Sequence, residues 1–181
     1  MTKLRILSGV KPSGKMHIGN YLGALQNFVK LQDEYECYFM VADLHSLTEK
    51  FDPAKKRQEI LDTLIDFLAV GLDPQKSVIF VQSQVHEHSE LAWIFDCLTP
   101  VAELERMTQY KDFVARGHSA NAGLLTYPIL QAADILIYKP KFVPVGDDQL
   151  QHLELTNDVV RLFNNRFGQT FEKVKPLLSN T

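Results

Sequence analysis

The chain has 181 residues, 45% of them apolar and 23% charged, with 19 basic and 22 acidic side chains and a formal net charge of −3. That is the balance of a soluble globular protein long enough to bury its own core without staples. It argues against a surface dominated by nucleic-acid binding, so any RNA would be gripped by a local patch or by a part of the protein outside these residues. Cys37 and Cys97 lie far apart with no CxxC and no Cys/His cluster, which speaks against a disulfide framework and a zinc site. No 18-residue apolar run is present, and Met1 to Arg5 leads straight into a strand-like segment without the apolar stretch of a signal peptide. The expectation is a cytoplasmic protein that does not enter a membrane.

Leu4 to Val10 reads as a short buried strand, and Pro12-Ser13-Gly14-Lys15 as a turn. A helix begins near Gly19, with Leu22, Leu25 and Val29 at helical spacing and Phe28 beside them. Cys37 to Ala42 is a second strand. Asp52 and Pro53 supply an N-cap and a first helical position, Ile60, Leu64, Phe67 and Leu68 an apolar face, and Gly71 a stop. Ser77 to Gln82 is a third strand. Strand and helix thus alternate, which predicts a parallel sheet covered on its faces.

From about 84 to 122 the alternation lapses into a helical insertion, helical around Leu91 to Leu98 and Val101 to Tyr110, with Gly117-His118-Ser119 as a loop. A helix over Leu124 to Tyr138, a fourth strand over Phe142 to Val145 and a helix over Leu150 to Phe163 follow. The last residues, with Pro176, read as a loop. The fold class is α/β: an open, parallel, Rossmann-like sheet with helices on both faces and a helical insertion.

Chemistry concentrates in three places. The run Pro12-Ser13-Gly14-Lys15-Met16-His17-Ile18-Gly19-Asn20 lies between the first strand and the first helix. In an open α/β sheet this is where ligands bind, and the N–H groups of a helix start suit phosphate. Gly19 allows close approach and His17 can donate to a phosphate oxygen, although a plain strand-to-helix turn carries the same residues. Next, Tyr127, Gln131, Asp134 and Tyr138 stand at i, i+4, i+7 and i+11 on a helix that is otherwise apolar nearly all round. A carboxylate there is costly without a partner, so either a protein donor or a ligand must satisfy Asp134. Finally, Gly146-Asp147-Asp148 follows the fourth strand, suited to a tight turn with a capping carboxylate or to bonding ribose hydroxyls. The single histidines are read separately: His45 as structural or ligand-facing, His86 and His88 as solvated loop residues. The run from Glu49 to Arg57 reads as an exposed helix start.

The strings SGVKPSGKMHIGNYLGAL (Ser8 to Leu25), VADLHSLT (Val41 to Thr48), ELERMTQYK (Glu103 to Lys111), GLLTYPILQAADILIY (Gly123 to Tyr138) and VPVGDDQLQHLELT (Val143 to Thr156) occur in that order. Together they resemble the tryptophanyl-tRNA synthetase family of class I aminoacyl-tRNA synthetases, whose HIGH-type signature is HIGN here, with Asn20 in place of the second histidine. The resemblance runs from Arg5 to about Phe167. It implies ATP-dependent activation of L-tryptophan and transfer to tRNA(Trp), with Mg2+ accompanying the ATP. Site residues follow from it position by position. His17 and Asn20 would serve the catalytic signature. Lys11, Pro12, Ser13, Gly19, Asn20, Gly146, Asp147 and Asp148 would bind ATP. Asp134 would accept the indole N–H, Tyr127 and Gln149 would hold the amino group, and His45 would lie near the amino-acid carboxylate. Gln131, Leu7, Val143 and Val145 would line the pocket; relatives often carry Met where Gln131 stands, and many carry Gln where Lys11 stands. No metal ligand is expected among the side chains.

The resemblance also implies a homodimer formed through the insertion, where Leu91, Trp93, Ile94, Phe95, Leu98, Val101, Leu104 and Met107 are more apolar than an isolated flap should expose. Neither a KMSKS signature nor a helical anticodon-recognition domain is found, and Lys173 and Lys175 do not match the former. Slow adenylation by these residues alone is the corresponding expectation. The rival readings are a tyrosyl-tRNA synthetase, a small nucleotidyltransferase with a HIGH-like loop, and a non-catalytic nucleotide or amino-acid binding module.

Overall fold

A computed structural model describes residues 3–14 and 18–178; the side chains of Asn20, Leu22, Gly23, Asp147 and Leu178 fall outside that description. Five parallel strands, β1 (Arg5–Val10), β2 (Glu36–Val41), β3 (Ser77–Val81), β4 (Phe142–Val145) and β5 (Lys175–Leu178), form one sheet in the order β3-β2-β1-β4-β5. The chain moves outward from β1 to β3, then returns to β1's other edge to lay down β4 and β5. β1 is therefore the strand at which the direction of winding reverses.

Alternation along the strands sorts two cores onto opposite faces. Ile6, Cys37, Phe39 and Val41 point to one side, where they meet Leu25, Phe28, Leu31 and Phe67. Leu7 and Val143 point to the other, against Phe95, Ile129, Ala133, Leu136, Leu153 and Val159. The first core is covered by a π-helical stretch at Tyr21–Leu25, α2 (Gln26–Leu31) and α3 (Pro53–Ala69), with α1 (Ile18–Asn20) leading into the π-helical stretch. α4 (Glu87–Asp96), α5 (Val101–Glu105), α7 (Ala122–Ile137) and α8 (Leu150–Phe167) cover the second, with α6 (Thr108–Ala115) beside them. Among the described residues no helix is long and apolar enough to cross a membrane.

Local chemistry explains most of the boundaries. Asp52 caps α3, its carboxylate accepting from the Ala54 N–H at 3.0 Å, with Pro53 in the first turn. Gly71 takes φ +104 just past the helix end, a region open to glycine. Asn121 caps α7 through the Leu124 N–H at 2.8 Å, which starts that helix slightly earlier than its apolar pattern suggests.

Three readings of the sequence require correction. The segment taken as a terminal loop forms β5, registered with Phe142 opposite Lys175 and Val145 opposite Leu178. Four residues containing Pro176 are weak as a strand signal, but at a sheet edge proline's missing N–H costs no ladder bond. Leu68 is 52% exposed, while Thr63 takes a place in the interior with its hydroxyl on the Glu59 carbonyl. In the region from 84 to 122, Phe95, Leu104 and Met107 belong to the domain's own core, whereas Trp93, Ile94 and Val101 stay exposed.

Candidate active site

Because β1 and β4 are registered only at Ile6 opposite Phe142 among the described residues, they leave a crevice toward their carboxyl ends. A cleft of about 1210 Å³ opens there. Its floor is β1, with Leu7, Gly9 and Val10, and β4 with Val143 and Val145; its walls include His45, Tyr127, Gln131 and Asp134 on one side and Gln109 and Phe113 of α6 above. Gly9 matters to that floor: a Cβ on it would lie 3.0 Å from the Met40 carbonyl oxygen, so any larger residue would crowd β2.

Asp134, on α7, is 1% exposed. Its Oδ1 accepts from Gln82 Nε2 at 2.8 Å and faces His88 Nδ1 at 2.6 Å. Its Oδ2 faces His45 Nε2 at 2.7 Å and Gln82 Nε2 at 2.9 Å. Burial by itself pushes a carboxyl up, but here the hydrogen bonds and charge of His45 and His88 outweigh it and hold Asp134 below the usual carboxylate range. Gln82 is fixed in turn by the Leu44 N–H, which donates to its Oε1 at 3.1 Å. His88 is fixed by Tyr138, whose hydroxyl lies 2.8 Å from Nε2. Of the three groups on the carboxylate, only His45 lines the cleft.

A second network sits about two helical turns away along α7. Tyr127 donates its hydroxyl proton to Gln109 Oε1 at 2.6 Å, and His152 Nε2 lies 2.7 Å from the Tyr127 hydroxyl oxygen. Since the hydroxyl proton goes to Gln109, His152 is the donor through Nε2, which leaves its buried Nδ1 unpartnered and unprotonated. Burial accordingly lowers His152 to about 4, against a smaller opposing pull from Asp148. Burial also raises the Tyr127 phenol to about 12.

The structure brings Leu7, Lys11, Ser13, His45, Tyr127, Gln131, Asp134, Val143, Val145, Gly146 and Gln149 to the cleft lining. Gln131 Nε2 reaches Gln149 Oε1 at 3.4 Å, and Gln149 Nε2 donates to Asp148 Oδ2 at 2.7 Å. Pro12 is buried beside the cleft, and its carbonyl accepts from Lys56 Nζ at 3.1 Å, tying the loop after β1 to α3. Lys11 is engaged with Glu49 at 2.6 Å. Gly19 stands in α1 and is exposed. The expectation for His17, and those for the side chains of Asn20 and Asp147, lie outside the described residues. Asp148 does not cap α8, whose N-cap is Gln149 without a side-chain cap bond.

His88 is the clearest error of the sequence reading. Instead of a solvated loop residue it is a fully buried one on α4, while His86 is exposed as expected. Gln82, Gln109 and His152 were also missed. Gln82 carried a usable signal, a polar residue at the carboxyl end of an apolar strand; the other two look like ordinary helix-surface residues. Tyr138 shares the face of Asp134 but lies behind it, on His88, and not in the cleft lining.

The fold and this cleft define an open α/β domain with a cleft at the carboxyl ends of its parallel strands, the place where such sheets bind ligands, and with a buried carboxyl at the bottom of it. The family model described as tRNA synthetases class I (W and Y) matches residues 1–181. The tryptophan–tRNA ligase of Caldanaerobacter subterraneus subsp. tengcongensis is 53% identical over 174 residues, covering 96% of this chain and 53% of that protein. A crystal structure of tryptophanyl-tRNA synthetase from Campylobacter jejuni superposes with a TM-score of 0.95 at 42% identity, covering 99% of this chain and 56% of that one. Another, of the C. jejuni enzyme complexed with ADP and tryptophan, gives 0.92 at 43% identity, covering 98% and 56%. The chain belongs to the class I tRNA synthetases of the tryptophan and tyrosine group. It spans about half the length of the curated relatives it matches.

Proposed function

We propose that these residues form the amino-acid-activating part of a tryptophan–tRNA ligase. The observation that carries this reading is a buried Asp134 whose one cleft-facing partner is a side chain, His45. An indole N–H entering the cleft exchanges for the His45 N–H on Oδ2, so the carboxylate keeps its complement of donors. An amino acid without that N–H leaves the anion underpaired, which is the basis of strong discrimination. The relatives, at 50–54% identity, are tryptophan–tRNA ligases, which supports tryptophan over tyrosine.

The amino group has a matching receptor. The Tyr127 oxygen accepts one hydrogen bond from His152 and its hydroxyl donates one to Gln109, so it has a remaining lone pair for an ammonium donor, and Gln149 stands beside Gln131 in the cleft lining. ATP would lie along the loop after β1, near Lys11, Pro12, Ser13, His17, Gly19 and Asn20, with its ribose toward Gly146, Asp147 and Asp148. The carboxylate of tryptophan attacks the α-phosphorus, the bond to the β-phosphate oxygen breaks, and pyrophosphate leaves. The terminal ribose hydroxyl of tRNA(Trp) then takes the acyl group and releases AMP. No side-chain nucleophile is needed; the protein positions the reactants and stabilises charge. Mg2+ would enter on the phosphates, since no cluster of three His, Cys, Asp or Glu suited to a cation occurs among the described residues. A cytoplasmic site of action fits this role.

Tryptophan-dependent exchange of pyrophosphate into ATP tests the reading. The expected result is exchange with tryptophan and none above background with tyrosine; exchange driven by tyrosine would overturn it. The exposed Trp93, Ile94 and Val101 support a homodimer through the segment between β3 and α7. Light scattering at micromolar concentration is expected to give twice the chain mass, and a monomeric mass would count against that interface.

A further inference from the structure

We propose that His88 is a positioning residue for amino-acid selectivity, holding the Asp134 carboxylate aimed at the cleft, with Tyr138 fixing the tautomer that lets it do so. The proposal rests on the reading of Asp134 as the acceptor for the indole N–H.

The tautomer follows from the partners. An ionised carboxylate only accepts, so His88 Nδ1, 2.6 Å from Asp134 Oδ1, carries the proton. Nε2 is then an acceptor, and the Tyr138 hydroxyl 2.8 Å away donates to it. Neither group reaches the cleft, and neither touches the expected ligand. Their placement is nonetheless tightly determined. His88 is fully buried on α4, with its ring against those of Phe80 and Tyr138 at 6.0 and 5.5 Å between centroids. Tyr138 is anchored from the far side, its carbonyl accepting from Arg5 Nη1 at 2.7 Å. A line of bonds therefore runs from β1 through the end of α7 to α4 and back to the carboxylate.

Gln82 alone bridges both oxygens of Asp134, a geometry that leaves rotation about the terminal torsion of the side chain weakly opposed. His88 acts on Oδ1 only, and so determines which oxygen is left to exchange His45 for a ligand N–H. Without His88 the buried anion loses a donor and is relieved by protonation or by turning toward Gln82. Protonation removes the anion and turning withdraws its oxygen from the cleft, so either response removes the acceptor that distinguishes an indole N–H from an isosteric ring lacking it.

The test is the ratio of affinities for tryptophan and for its benzothiophene analogue, in which sulfur replaces the N–H, measured by calorimetry on the 181-residue chain. The original chain is expected to prefer tryptophan by roughly 10- to 100-fold. His88→Leu is expected to collapse that ratio to within about threefold by weakening tryptophan and sparing the analogue, whereas a merely structural role would weaken both alike. His88→Asn, whose amide N–H can stand where Nδ1 stood, is expected to recover most of the preference. Tyr138→Phe, which deletes a single oxygen, is expected to lower it, and carries the test if His88→Leu does not fold. Full preference retained in the folded His88→Leu or Tyr138→Phe variant overturns the proposal. A chain in which Asp134→Asn leaves the preference intact overturns the underlying reading instead.

Discussion

Replacing Asp134 by asparagine is expected to weaken tryptophan binding by roughly 10- to 100-fold, the equivalent of losing one hydrogen bond to a charged acceptor, ~1.5–3 kcal/mol. ATP affinity should change by less than about threefold, because the two ligands use different parts of the cleft and separated sites act nearly independently. The same substitution should lower thermal stability. Gln82, His45 and His88 all point at the carboxylate, and an amide offers one acceptor oxygen where the anion offered two. Asp134→Leu should be more damaging, of the order of 3–5 kcal/mol, since it leaves three buried polar groups facing an alkyl chain. Calorimetric titration with each ligand, alongside a thermal melt, separates these effects. Unaltered tryptophan affinity in the asparagine variant would remove Asp134 from the recognition site and leave it a structural carboxylate.

The second large effect is on acid stability. His152 is 2% exposed, and burial lowers it from 6.5 to about 4. Between those two values the unfolded chain binds a proton that the folded chain refuses, so the folded state loses stability as pH falls. The contribution is fully present above about 6.5, declines through the window and levels off below about 4, a total of about 3 kcal/mol. Asp134, also held low, works in the same direction but in a more acidic range: its contribution is present above the ordinary value of 3.8 and is lost as pH falls through the lower folded value. The windows are therefore distinct. His152→Gln retains an N–H toward Tyr127 and removes the titration. Urea denaturation at about pH 7 and about pH 4.5 should show a clear loss for the original chain and a much smaller loss for this variant. Equal losses would mean that other groups account for the acid sensitivity.

Much of this protein is determined locally and can be read from the chain alone. The period-two pattern of Ile6 and Leu7, the cap at Asp52, the stop at Gly71 and the apolar run around α7 each depend on neighbours within a few residues. They suffice for four of the strands, the main helices and the parallel sheet, and the ordered motifs suffice for the family. Asp134 was legible too, because a carboxylate amid Ile129, Ala133, Ile135 and Leu136 stands out against its own helix. The identity of its partners was not. Gln82 and His88 lie 52 and 46 residues away in sequence, and only the packing of α4 against α7 brings them to the carboxylate. Sequence periodicity carries no term for such a pairing, and a lone histidine near a helix start looks solvated until another helix covers it. β5 was missed for a related reason: a four-residue edge strand with a proline gains its order from β4, not from its own propensity. Tertiary structure thus decided which polar groups are buried together, because the cost of burying them is met only by partners distant along the chain.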